Sequence, residues 1–330
     1  MIIVKSNRFL DNPNSPIVSA SCTMHGRFAI RKGKVDCHGK PIEASKVLLA
    51  EFDNLITNIG LDRVGSGGLN FTTCQVGTGT AVPLVTNTGL QTFLANSSLV
   101  SDTTSALSPG GPPYWGGSSR TYRFNAGVAT GNLTEVGVGW STGLSTLFSR
   151  ALIVDGSGNP TTITVLADEF LDVTYTLRFR GPDTDQTGNV TITGVGTLTF
   201  TQRIARATSV TDWSHGFTGT AGLGTGTGDH VFYSGTLGPV TGNPSGSNAS
   251  SSSGAVVNGT YTAGTYTRNS TLTLGLNNGN VAGGIRSSLL TCLTARGGGA
   301  FQTEFSSIIP KDATKILVLN TAYSWARGTP

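Results

Sequence analysis

Four constellations in this sequence hold residue types that could do chemistry. Asp168, Glu169 and Asp172 form its densest carboxylate group. Two acids flanking a glycosidic bond can act as proton donor and as base or nucleophile. No second acid run and no aromatic-rich segment accompanies them, and acids at the entry of a strand commonly guard a solvated edge. Gly139-Trp140-Ser141-Thr142-Gly143 matches the G-x-S-x-G pattern, in which a sharp strand-to-helix turn presents a serine nucleophile. Acids and then His215 or His230 follow in the right order, and Leu144, Leu147, Phe148, Ala151 and Leu152 can be read as helical. The α/β sheet that such a turn needs requires several crossover helices, and at most three are readable. The segment is therefore read as a turn between strands.

Cys22-x-x-His25 and Cys37-His38 can be written as a zinc site, but neighbours on a strand point to opposite faces, so Cys37 and His38 do not share a metal. A Cys22–Cys37 disulfide or unpaired thiols remain open. Asp183-x-Asp185-x-Thr187-Gly188 copies half of a calcium loop, yet Gly194 stands where the bidentate carboxylate belongs. Turn geometry alone also selects those residues. Val76-Gly77-Thr78-Gly79-Thr80 lacks the lysine of a phosphate loop. No catalytic residue, metal or cofactor is assigned, and a non-enzymatic protein is expected. Two sets of binding candidates remain. Tyr114, Trp115 and Trp213 are loop aromatics able to stack on a host surface glycan or on another subunit. Arg27, Arg31, Lys32 and Lys34 are the densest positive cluster and could face an acidic partner.

The elements that must position these residues follow from composition and period. Among 330 residues, 48 are Thr, 32 Ser and 46 Gly, against only 5 Glu and 7 Lys, which argues against exposed helical bundles. The net charge of +4 is too thinly spread for a nucleic-acid stripe. No apolar run reaches the roughly 18–20 residues of a membrane span, and no signal-like opening is read. The expectation is a mainly β protein: antiparallel sandwich domains with one or two short helices.

Residues 1–44 are expected to form a docking arm with a hairpin tip at Arg31-Lys32-Gly33-Lys34. Residues 45–205 are expected to form a β-sandwich with a helix over 45–60, where Val47, Leu48, Phe52, Leu55, Ile56 and Ile59 recur at helical spacing. A second short helix is read over Asn87–Ala95, capped by Thr86. Residues 166–205 read as one long hairpin. The rest, 206–330, is a second β region interrupted by an exposed Gly/Ser-rich loop at 219–259.

Several segments together resemble structural proteins of bacteriophage tails. They are Asn54–Asp62, Gln75–Pro83, Val85–Leu90, Thr134–Trp140, Leu147–Ile153, Thr161–Tyr175 with Leu166-Ala167-Asp168-Glu169-Phe170, and Phe301–Phe305 with Ile309–Asp312 and Trp325–Arg327. The similarity covers roughly 50–205 and 270–327. It implies a virion tail location, a tail-fibre, baseplate or collar role in assembly and attachment, and trimers or hexamers beside other tail proteins. It also favours strand over helix at 147–154 and transfers no catalytic residue.

Overall fold

A computed structural model describes residues 7–8, 18–107, 111–143, 145–215, 217, 230–250, 255–292 and 298–328. The chain is mainly β, with several antiparallel sheets and two short helices among the described residues. Strand formation follows the period-two burial of the sequence. Along Val18–Lys34 every second side chain from Val18 to Ile30 is buried, while the alternate ones face outward. Glu169–Arg180 repeats the pattern from Val173 and Lys315–Arg327 from Leu317.

Those three strands form the centre of a nine-stranded sheet. Val18–Lys34 pairs antiparallel with Glu169–Arg180 along one edge. Its other edge is shared, Lys315–Arg327 running parallel to residues 18–24 and Val47–Asp53 antiparallel to residues 27–32. Trp115–Phe124 and Val100–Leu107 extend the sheet on one side, Thr267–Leu274 and Ala255–Asn258 on the other.

Two smaller sheets cover one face of this large sheet. The five-stranded sheet (Leu55–Ile56, Leu147–Leu152, Glu135–Gly139, Thr73–Gly77, Phe93–Ser97) contributes Val76, Val136, Val138 and Phe148 to a core shared with Phe28, Ile30, Val173 and Tyr175. The six-stranded sheet (Gln186–Ile192, Gly196–Ala205, Ala300–Ile309, Ile285–Thr291, His230–Tyr233, Asn248–Ser250) shares a second core with Leu272, Leu274, Leu317 and Leu319. Burial of large apolar side chains against both smaller sheets supplies the main driving force, about 25 cal/mol per Å² of apolar surface. The opposite face of the large sheet carries side chains that are half-buried or exposed among the described residues.

Several expectations need correction. The leader is not a separate arm over 18–34, because that segment is a central strand whose Phe28 packs 5.0 Å from Tyr175. Arg31–Lys34 continue the strand, and the reversal comes at Asp36–Lys40, where Asp36 accepts from the amides of His38 and Lys40. Residues 1–6 and 9–17 of the expected arm lie outside the described residues. Residues 47–53 are strand, not helix, since Val47 and Leu48 are 52% exposed while Phe52 packs on Phe28. The apolar spacing fitted either period, and pairing with residues 27–32 decided it. The helix starts later, as α1 (Asn58–Ser66), with Thr57 Oγ1 accepting from Gly60 N and the chain breaking at Gly67.

Residues 87–92 are irregular backbone leading into Phe93–Ser97, so the second expected helix is absent there. Gln186–Ala205 forms a hairpin by itself, whereas Glu169–Arg180 belongs to the large sheet. The expected loop at 219–259 contains strands at 230–233, 248–250 and 255–258, with Phe232 buried; 219–229 and 251–254 lie outside the described residues. Strands from all three expected regions thus interleave in one sheet.

Candidate functional site

The solvent face of the large sheet gathers the most side chains free to meet a ligand. Alternation decides which residues reach it: His25, Arg27, Ala29 and Arg31 from one strand, Thr174, Thr176 and Arg178 from the next, and Trp115, Ser119, Thr121 and Arg123 from the third. Hydroxyl pairs bridge the strands, Ser119 to Thr176 and Thr121 to Thr174, each at 2.7 Å. Between these pairs, the 43–46 segment and the outermost strand lies a groove of about 560 Å³, whose lining includes Arg31, Glu51, Asp102 and Thr104. A second recess of about 630 Å³ opens between Thr23, Arg180, Tyr266 and Arg327. Both volumes fall in the range of small-ligand sites.

Charge on this face is nearly self-neutralising. Arg27 lies 3.4 Å from Glu51 and 3.2 Å from Asp53, and His25 lies 3.1 Å from Asp53. Burial pulls the His25 imidazolium down, Asp53 pushes back, and the Arg178 and Arg27 guanidinia pull it further, for a net fall below the ordinary histidine range. Asp172 is almost fully buried; burial alone would raise its carboxyl, but hydrogen bonds from Arg123 (2.7 and 2.8 Å) and Lys46 outweigh it and hold it below the usual value.

The expected site residues divide sharply. Arg27 and Arg31 share the solvent face, while Lys32 and Lys34 fall on alternate positions. Lys32 is tied to Glu169 at 2.9 Å and to Thr164 O at 2.8 Å, so the four cations form no single docking patch. Trp115 is half-buried at the rim, with the Arg178 guanidinium 4.1 Å from its ring centroid, and Tyr114 packs partly against the core. Trp213 is the clear correction. It sits in α2 (Val210–Trp213), 1% exposed, donating from Nε1 to Ala205 O at 3.0 Å, and cannot stack on a ligand.

The remaining constellations have structural partners. Glu169 and Asp172 are held by Lys32, Arg123 and Lys46 as above. Asp183 pairs with Arg180, and Asp185 with Arg203. Ser141 lies in the turn between the antiparallel strands Glu135–Gly139 and Leu147–Leu152, not before a helix. His215 and His230 are buried far from solvent. All four cysteines are free; Cys22, Cys74 and Cys292 are buried and Cys37 exposed, and burial pushes the Cys22 thiol up to about 12. Among the described residues no three His, Cys, Asp or Glu side chains gather as a metal would require, and no helix is long and apolar enough to cross a membrane.

Sequence reasoning missed the buried pair Glu135–Arg150, 2.8 Å apart. Glu135 also accepts from the amides of Gly79, Gln91 and Thr92, which pins the 78–92 loop. It missed the hydroxyl-lined groove as well; the Ser119/Thr121 and Thr174/Thr176 alternation was the available signal, hidden in a chain where every strand is Thr-rich. No protein-family model, no curated protein and no solved structure matches this chain.

Proposed function

We propose that the chain is a non-catalytic structural component of a bacteriophage tail, assembled from copies of itself beside other tail proteins and acting in virion assembly and host attachment. The resemblance of its motifs supplies the location. The structural observation that supports self-assembly is the outermost strand of the large sheet, Val100–Leu107, which among the described residues pairs only with Trp115–Phe124 and is solvent-exposed along nearly its whole length. Phe93–Ser97, the preceding strand, is likewise an edge, and Phe93, Leu94, Leu99 and Val100 stand exposed around the two. Open edges of this length are templates for another chain.

Immunogold labelling of virions with antibody to this chain tests the location, and labelling of heads alone overturns it. A second reading, a receptor-binding module, is supported by the groove beside Arg31, Thr121 and Thr174, since balanced charge and paired hydroxyls suit a polyhydroxylated glycan. Competition of virion adsorption by the purified protein checks it. Complete failure to compete leaves the purely structural role.

A further inference from the structure

Lys311 is only 2% exposed, yet among the described residues no carboxylate lies within ion-pair distance of it. Its Nζ donates to Asn280 Oδ1 at 2.6 Å and to the carbonyl of Asp312 at 3.0 Å. A buried ammonium met only by neutral acceptors is costly. We propose that Lys311 and Asn280 are joined by a spontaneous isopeptide bond that staples the large sheet to the six-stranded sheet.

The two residues lie on the two crossovers between those sheets. Segment 275–284 links Thr267–Leu274 of the large sheet to Ile285–Thr291 of the six-stranded one, and 310–314 links Ala300–Ile309 back to Lys315–Arg327. Both crossovers are fixed by packing. Val281, next to Asn280, and Ile309, two residues before Lys311, are buried in the same core. Gly284 has φ +88°, and a Cβ there would stand 2.9 Å from Ile309 O, so glycine alone lets the loop close onto residues 309–311. The Asn280 amide is oriented too, its Nδ2 donating to Leu276 O at 2.7 Å. Pre-set geometry of this kind replaces the entropy a bimolecular reaction would lose.

In the reaction, the lone pair of the neutral Lys311 amine attacks Cγ of Asn280. The Nζ–Cγ bond forms, the Cγ–Nδ2 bond breaks, and a proton passing from Nζ to Nδ2 lets ammonia leave; nothing is oxidised or reduced. Burial lowers the lysine from its ordinary value, Asp312 opposing and Lys315 adding to the effect, which enriches the nucleophilic amine. Asn280 is solvent-exposed, so ammonia has a way out. The Asp312 carboxylate is engaged by Thr314 and Lys315, which leaves proton transfer to water and makes the bond form slowly.

Mass spectrometry of the purified full-length chain, fresh and after prolonged incubation, tests this. A cross-linked peptide joining the segments around 280 and 311, lighter by one ammonia (about 17 Da) than the sum of its parts, is expected and should accumulate with time. Lys311→Arg, which keeps the charge and a hydrogen-bond donor, and Asn280→Ala should each lack it. Recovery of both segments only as separate peptides at every time, including with Asn280 converted to aspartate, overturns the proposal.

Discussion

Two buried histidines make this protein acid-labile well above the pH at which its carboxylates protonate. His215 is 1% exposed, wedged between Phe179 (5.1 Å) and Phe217 (4.7 Å), and neither ring nitrogen finds a hydrogen-bond partner among the described residues. Burial first, and the nearby Arg120 guanidinium second, pull its pKa down to about 3. His230 is likewise buried, its Nε2 unpartnered, and burial lowers it to about 4. In the unfolded chain both titrate near 6.5. A folded pKa below the unfolded one means the unfolded state binds more protons between the two values, so stability is full above about 6.5 and falls as pH drops toward 4 and then 3.

At pH 5 each folded imidazole is still neutral while its unfolded counterpart is almost fully protonated. The loss between pH 7 and pH 5 is about 2 kcal/mol per histidine, or about 4 kcal/mol together, at 1.36 kcal/mol per pKa unit. That is a large share of the 5–15 kcal/mol typical of a folded chain. Urea unfolding followed by tryptophan fluorescence at pH 7, 6 and 5 measures it. The double variant His215→Leu/His230→Leu should lose most of the pH slope in this window, whatever its absolute stability. A wild-type chain whose stability changes by less than about 1 kcal/mol from pH 7 to 5, or a double variant with the wild-type slope, would refute the reasoning.

Glu135→Ala should cost about 3–5 kcal/mol, because it leaves Arg150 buried without its carboxylate; hydrogen exchange should rise over residues 78–92, whose amides lose their acceptor. Trp213→Ala should cost about 3–5 kcal/mol in denaturant unfolding, whereas Trp115→Ala at the rim should cost under about 1 kcal/mol. Placing charge on the open edge with Thr103→Lys/Thr104→Lys should shift the protein toward monomer in analytical ultracentrifugation with an unchanged far-ultraviolet spectrum. Because Asp102 is the one ionisable residue on that edge strand, association should also change by less than about threefold between low and high salt.

Where burial is one-sided, period two made the strands legible. Tyr122-Arg123-Phe124 and the alternation Val173, Tyr175, Leu177, Phe179 are readable in the sequence, whereas Leu147–Leu152, buried on both faces, fits a helix as well as a strand. Residues 47–59 were not legible, because a strand, a two-residue strand and a helix start in succession yield apolar spacings that mimic one long helix. The leader was opaque for a different reason. Val18–Lys34 takes its place from partners more than a hundred residues away, at 169–180 and 315–327, and nothing local announces them. Trp213 sits in a short polar stretch that reads as a loop, yet α2 carries it onto Phe301 and Ala205. The groove and the Lys311–Asn280 contact share this origin. Each is built from strands or crossovers that only the sheet order brings together.

The sparse charges explain how such a hydroxyl-rich surface is supported. Most of the carboxylates that sequence reasoning weighed as chemistry act as ties between elements. Asp172 joins Arg123 and Lys46, Glu169 joins Lys32, Asp183 joins Arg180, and Asp185 joins Arg203. The surface pairs at Asp183 and Asp185 contribute little energy each, while the buried carboxylates of Asp172 and Glu169 need their cations; both kinds fix side chains that would otherwise project from the sheet faces. Between these pairs the outward positions of the large sheet include the hydroxyls of Ser119, Thr121, Thr174 and Thr176, groups that hydrogen-bond equally well to water or to another chain and that do not titrate. The exposed strand Val100–Leu107 suits close lateral packing, where backbone edges and hydroxyls from one copy meet those of the next and Asp102 is the one charge on the strand.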